Sequence, residues 1–235
     1  MAGAAGGSRI RRFLPRAARI IPVALAIGVL AWAGQSAMRH GHADWEAMRW
    51  RNEVQQWSEK GAIPSAALWV PAADGLRSAL RLTPGDPVLH DNLALLYSLG
   101  AWTHQTANGP TRDYAPYAAL HFRQAAVLRP TSSYSWVGLA ASKYQAGEVD
   151  AELFRAMALA GAYGPREPRV QLVLADLGFL LWDAMDAPQQ ALAVENLRRT
   201  AQRQAPALAK LAEGRKRSAL LCKNAIENMG KFIKC

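Results

Sequence analysis

The residues of this 235-residue chain most often recruited to ligate a transition metal, or to serve as nucleophile and base, are its five histidines and two cysteines. A metal centre needs several ligands converging on one ion, which on a helix means histidines four apart and in a loop means closely spaced cysteines. His40 and His42 follow a long apolar run, His90 and His121 fall at or beside helix-packing positions, and His104 lies in a segment rich in helix breakers. None has a second histidine at i+4, a cysteine beside it or a carboxylate in a recognised metal spacing. Cys222 and Cys235 are 13 residues apart, which is not a C-x-x-C redox spacing. No G-x-S-x-G, Walker or Rossmann run occurs. The chain therefore reads as non-enzymatic, with no metal and no cofactor.

With no reactive constellation to position, the pattern that remains is one of helix packing. Ala, Leu, Arg and Gln are abundant, β-branched runs are scarce and hydrophobic residues make up 51% of the chain, so an all-α fold with a packed core is expected. His90, Leu93, Ala94 and Tyr97 present large, large, small and large side chains on one helix. Ala118, Phe122 and Ala125 present small, large and small side chains, A-x3-F-x2-A, on a second helix that ends at Pro130. Small residues let helix backbones approach, and large ones fill the grooves between turns.

This stretch resembles one tetratricopeptide repeat. Ala72, Leu76, Ala79 and Pro84 repeat the second-helix pattern, and Trp136, Leu139 and Ala140 repeat the first-helix pattern after Pro130. Pro84 and Pro130 are 46 apart, against a repeat of about 34 residues. The 12-residue excess falls in GAWTHQTANGPTRDYAP, where Gly, Asn and Pro are expected to break the helix. Phe154 and Ala158, then Ala175, continue the register, and a return helix is expected to end at Pro206. The expectation is an α-solenoid of three or four helix pairs over 61–206, with a helix in 207–235 covering its open end through Leu208, Leu211, Ala219, Leu220 and Ile226.

Ahead of this body, residues 20–38 carry no charge, enough to cross a bilayer core. Five arginines lie in residues 9–19, so residues 1–19 are expected to stay cytoplasmic and everything after about 39 to be exported. That places the body in the periplasm, on a single-pass bacterial inner-membrane anchor. The competing reading is a signal peptide cut after Ala31-Trp32-Ala33. Residues 39–60 form a juxtamembrane helix with Trp50, Val54 and Trp57 on one face and Trp45 and Met48 beside it. That face suits either the headgroup level or the first repeat.

The net charge of +10 is concentrated at the two ends, and residues 20–197 are slightly acidic. Such ends suit anionic lipid or an acidic glycan, and no nucleic-acid motif appears. Arg215, Lys216, Arg217, Lys223, Lys231 and Lys234 form the basic tail. A Cys222–Cys235 disulfide is allowed by the compartment; a straight helix would hold the two about 20 Å apart, so the bridge needs a turn, expected at Gly230.

In a stack of helix pairs the first helices line a concave face. The register assigns to it Asp91 and Leu95, Val137 and Ala141, and Leu172 and Asp176, with Asn92, Tyr134, Tyr144 and Arg169 as polar neighbours. Leu128–Ala140 (LRPTSSYSWVGLA) and Gly164–Gly178 (GPREPRVQLVLADLG), followed by Trp182, resemble the VpsP-like group of membrane-anchored proteins found with exopolysaccharide and O-antigen machinery. The resemblance implies a scaffold for a polysaccharide polymerase, ligase or export component. An alternative is direct capture of acidic glycan or anionic lipid by the tail. A further one is an accessory role in a pilus or secretion system.

Overall fold

The computed structural model describes residues 16–62, 64–107, 114–224, 226 and 229–233. Among these the protein is all-helical, with no strand. The α-helices are α1 (Arg16–Lys60), α2 (Ala66–Leu82), α3 (Pro87–Ala107), α4 (Ala115–Leu128), α5 (Ser133–Ala146), α6 (Ala151–Tyr163), α7 (Pro168–Leu181), α8 (Ala187–Gly214) and α9 (Ser218–Lys223). The boundaries follow local chemistry. Ser132 and Asp150 accept the backbone N–H of Ser135 and Leu153 and so cap α5 and α6. Asp186 and Gln189 form a reciprocal capping box on α8. Gly147, at φ 79°, closes α5 in the left-handed conformation that a glycine adopts without strain.

Each helix packs on the next along the chain, and α1, α3, α5 and α7 also pack successively on one another. Most of the positions read from the register disappear from solvent, although Trp136 stays half-buried with its indole N–H donated to the Pro130 carbonyl. Ala72, Leu76, Ala79, Leu93, Ala94, Ala118, Ala125, Leu139, Ala140 and Ala175 are all buried, and His90, Tyr97 and Phe122 nearly so. Close approach is visible at Gly138, where an added Cβ would lie 2.5 Å from the Phe122 ring.

Several elements differ from the expectations. α1 runs unbroken from the apolar span into the body, and Ala43, Ala47, Val54 and Trp57 are buried against α2 and α3. The tryptophan stripe is thus core, because two alanines let α2 approach; only Trp45 and Met48 stay exposed. α3 continues past Gly100 to Ala107, since Trp69 and Tyr114 pack where a Cβ would project from Gly100. The rest of the expected insertion, 108–113, lies outside the described residues, as do residues 1–15 and the His104 side chain.

In α6 the buried face is Leu153, Ala156, Met157 and Ala160, with Phe154 and Ala158 only half-buried. The helix is rotated because Asp150 and Glu152 are drawn toward Lys143. α8 does not end at Pro206 but bends there, with Gln204 at φ −137°; proline lacks the N–H an unbent helix would use. Beyond the bend Leu208 and Ile226 are buried as expected, whereas Ala219 is exposed, and Leu221, Met229 and Ile233 complete that cluster. Cys222 is disulfide-bonded; the sequence's other cysteine, Cys235, lies outside the described residues.

Candidate functional site

A concavity of about 980 Å³ lies along α1, α3, α5 and α7. Its floor is apolar: Leu95, Phe122, Val137, Gly138, Ala141, Val170, Val173, Leu177 and Leu180. Its polar lining includes Gln55, Ser58, Asp91, Asn92, Ser98, Arg129, Tyr134, Tyr144, Gln145, Arg169, Asp176 and Arg215. Every residue assigned to the concave face from the sequence lines it except Leu172. On α7 the lining positions are 169, 170, 173, 176, 177 and 180, a stripe whose centre is about 100° from Leu172 at 3.6 residues per turn. Val173 takes its place.

Three ion pairs rim the concavity, and no spacing in the sequence marks their pairing. Arg129 at the end of α4 donates to Asp91 at 2.7 Å, and the Ser135 hydroxyl donates to the same carboxylate at 2.8 Å. Burial pushes the Asp91 carboxyl up from the usual range while these hydrogen bonds oppose it. Arg215 grips Asp176 with two hydrogen bonds of 2.6 and 2.9 Å, which hold the guanidinium's proton more tightly. Arg169 reaches Glu59 of α1 at 3.2 Å, so the first and fourth lining helices are tied across the mouth. Tyr134 donates its hydroxyl to Glu167 at 3.0 Å, and burial with that contact raises its pKa. The side-chain oxygen of Gln145, also in the lining, is buried with no hydrogen-bond partner among the described residues.

The basic tail is divided. Arg215 belongs to the concavity and Arg217 pairs with Asp183, whereas Lys216, Lys223 and Lys231 remain exposed. Lys234 is outside the described residues.

Two further clusters were not legible in the sequence, the first because its members are distant and the second because its carboxylates lie in a turn and the next helix with no periodicity to mark them. The His90 and His121 Nδ1 atoms are 3.0 Å apart, and His90 Nε2 donates to the Pro84 carbonyl at 3.1 Å. With both rings neutral, His90 Nδ1 must accept the His121 Nδ1–H. Burial, with His90 and Arg77 nearby, lowers the His121 pKa to about 4. At the junction of α4, α5 and α6, Lys143 is 3% exposed and meets Glu148, Asp150 and Glu152 at 2.8, 3.0 and 2.8 Å. Burial opposes its charge, but the three carboxylates outweigh that and raise its pKa. Arg123 holds Glu152 by two more hydrogen bonds and, with Lys143, brings its pKa down to about 2.

None of these groupings forms a triad, and among the described residues no group of three His, Cys, Asp or Glu could hold a metal. No protein-family model matches the chain, and no curated protein matches it. α1 is the one described helix long and apolar enough to cross a membrane.

Proposed function

We propose that the chain is a non-enzymatic scaffold: a tetratricopeptide-like solenoid of four helix pairs, held by α1 in the bacterial inner membrane with its body in the periplasm, that captures a protein partner in its concavity. The observation that carries this reading is the concavity itself. It joins an apolar floor to polar groups already held in place, and it contains a buried Gln145 oxygen lacking a donor. The rim arginines are neutralised by Asp91, Asp176 and Glu59, so the surface favours a partner with apolar anchors over a strongly charged one. By the likeness of Leu128–Ala140 and Gly164–Gly178 to the VpsP-like group, that partner is a polymerase, ligase or export component of polysaccharide assembly.

Direct capture of acidic glycan or anionic lipid by the tail has less to support it, since Arg215 and Arg217 are committed to carboxylates. A photo-crosslinker at Val173 in intact membranes tests the main reading. It should trap one defined polypeptide, and replacing Asn92, Tyr134 and Arg169 together by alanine should weaken trapping without lowering thermal stability. Trapping unchanged by the triple substitution would remove the concavity as the binding surface. Loss of capture only on raising salt would move the activity to the tail.

A further inference from the structure

A second crevice, about 490 Å³, lies between α1 and the turn that joins α2 to α3. Its α1 wall is Trp32, Gln35, Ser36, Arg39 and His40, one stripe at helical spacing, and its other wall is the Leu82–Pro87 turn. Arg39 is the first charge after the apolar run, and Trp32, 71% exposed, lies two turns before it. The crevice therefore straddles the level at which α1 passes from apolar to charged.

We infer that this crevice is a phospholipid site, with the headgroup phosphate on Arg39 and an acyl chain against the span below it; the inference rests on the reading of α1 as a membrane anchor. The charges support it. Arg51 is engaged with Asp44 at 2.9 Å and Asp86 at 3.7 Å, and Arg49 lies over the Trp50 ring at 4.6 Å. Arg39 makes no ion pair among the described residues. Asp86, the carboxylate in the wall, is occupied by the Val88 and Leu89 N–H groups as well as by Arg51, so its repulsion of a phosphate is muted. The shape supports it too. Below Trp32 the same stripe continues through Val29, Gly28 and Leu25. Val29 and Leu25 are exposed, and a Cβ added at Gly28 would meet nothing within 4 Å. An acyl chain fits against that face while Trp32 sits at the interface, where an indole is favoured. Ser36 is the half-buried residue at which α1 first meets the body, so the turn stands at headgroup height with no flexible linker between.

The test uses the full chain, extracted in mild detergent and examined by native mass spectrometry with added dioleoyl-phosphatidylglycerol. The wild type should retain one phospholipid, and Arg39→Gln should weaken retention about tenfold, the loss expected for one charge-assisted contact. Lys216→Gln in the tail should change nothing. Equal retention by Arg39→Gln and wild type overturns the proposal, as does full displacement of the lipid by millimolar inorganic phosphate, which would mark a free-anion site. Alkaline carbonate washing of the membranes separates the two readings. If the wild-type chain washes off, the anchor reading fails. If it stays while Arg39→Gln binds lipid normally, the crevice proposal alone fails.

Discussion

The Lys143 junction and the Asp91–Arg129 pair are made of the same kinds of ions and are placed to opposite effect. At the junction one nearly sealed ammonium meets three carboxylates, and Arg123 adds a second cation, so every carboxylate touches a cation inside the contact. At the concavity the carboxylate is the more enclosed partner and the guanidinium is 43% exposed. Burial on the cation's side locks three helices together. Burial on the anion's side leaves the arginine at the rim of the groove, paired to Asp91 and partly hydrated. The contrast separates charges that hold the fold from charges that present a surface.

The sharpest way to break this comparison is to remove Lys143. Lys143→Met leaves three carboxylates and one arginine around an apolar side chain; because those carboxylates are 37–51% exposed, solvent screens part of the loss, which should be about 2 kcal/mol. Urea denaturation should show the midpoint falling with an unchanged slope. A loss below about 1 kcal/mol would make the junction equivalent to a surface pair and erase the distinction.

The floor between the two regions is tested next. At Gly138 an added Cβ would lie 2.5, 2.6 and 2.7 Å from atoms of the Phe122 ring, which is itself buried. Gly138→Ala should destabilise by about 1–3 kcal/mol through overpacking. Adding Phe122→Leu should recover part of that by making room, a coupling that a double-mutant cycle measures. Simple additivity would mean that the two residues do not meet.

What the sequence made legible is what recurs locally. The large and small positions from Ala72 to Ala175 repeat at helical spacing, so both the core and the stripe facing the concavity followed from one register, with Leu172 off by the rotation of a single residue. Pairings between residues far apart were not legible, because no periodicity encodes them: His90 with His121, Arg169 with Glu59, Arg215 with Asp176. Helix ends misled for a different reason. Gly100 and Pro206 are breakers by propensity, yet packing by Trp69 and Tyr114 carries α3 through the first, and α8 absorbs the second as a bend. The Trp50–Trp57 face could not be divided between membrane and core until Ala43 and Ala47 were seen to admit α2.

pH separates the regions without mutation. His121 is neutral in the fold down to about pH 4, whereas an unfolded histidine takes a proton below about 6.5. Its stabilising contribution is therefore full above pH 6.5 and is lost as pH falls from there to about 4. Glu152 has a folded pKa of about 2, so the junction's contribution is full above 4.5 and is lost between 4.5 and about 2. Stability measured against pH should fall in two steps. His121→Gln should flatten the upper step and leave the lower one. A single step that His121→Gln does not alter would show that the histidine pair carries no linkage.

The smallest effect on stability is expected at the rim. Arg129→Ala removes a half-exposed guanidinium, but the Ser135 hydroxyl still donates to Asp91 at 2.8 Å, so the carboxylate is not abandoned. The loss should stay below about 1 kcal/mol, in the range of exposed pairs. Asp91 should then titrate higher still, because the guanidinium that favours its charged form is gone. Carbon-detected NMR of the carboxyl reads that rise directly, and thermal melts at neutral pH read the stability. If Arg129→Ala destabilised the chain as much as Lys143→Met, the rim would be holding the fold as the junction does, and the distinction between the two regions would be lost.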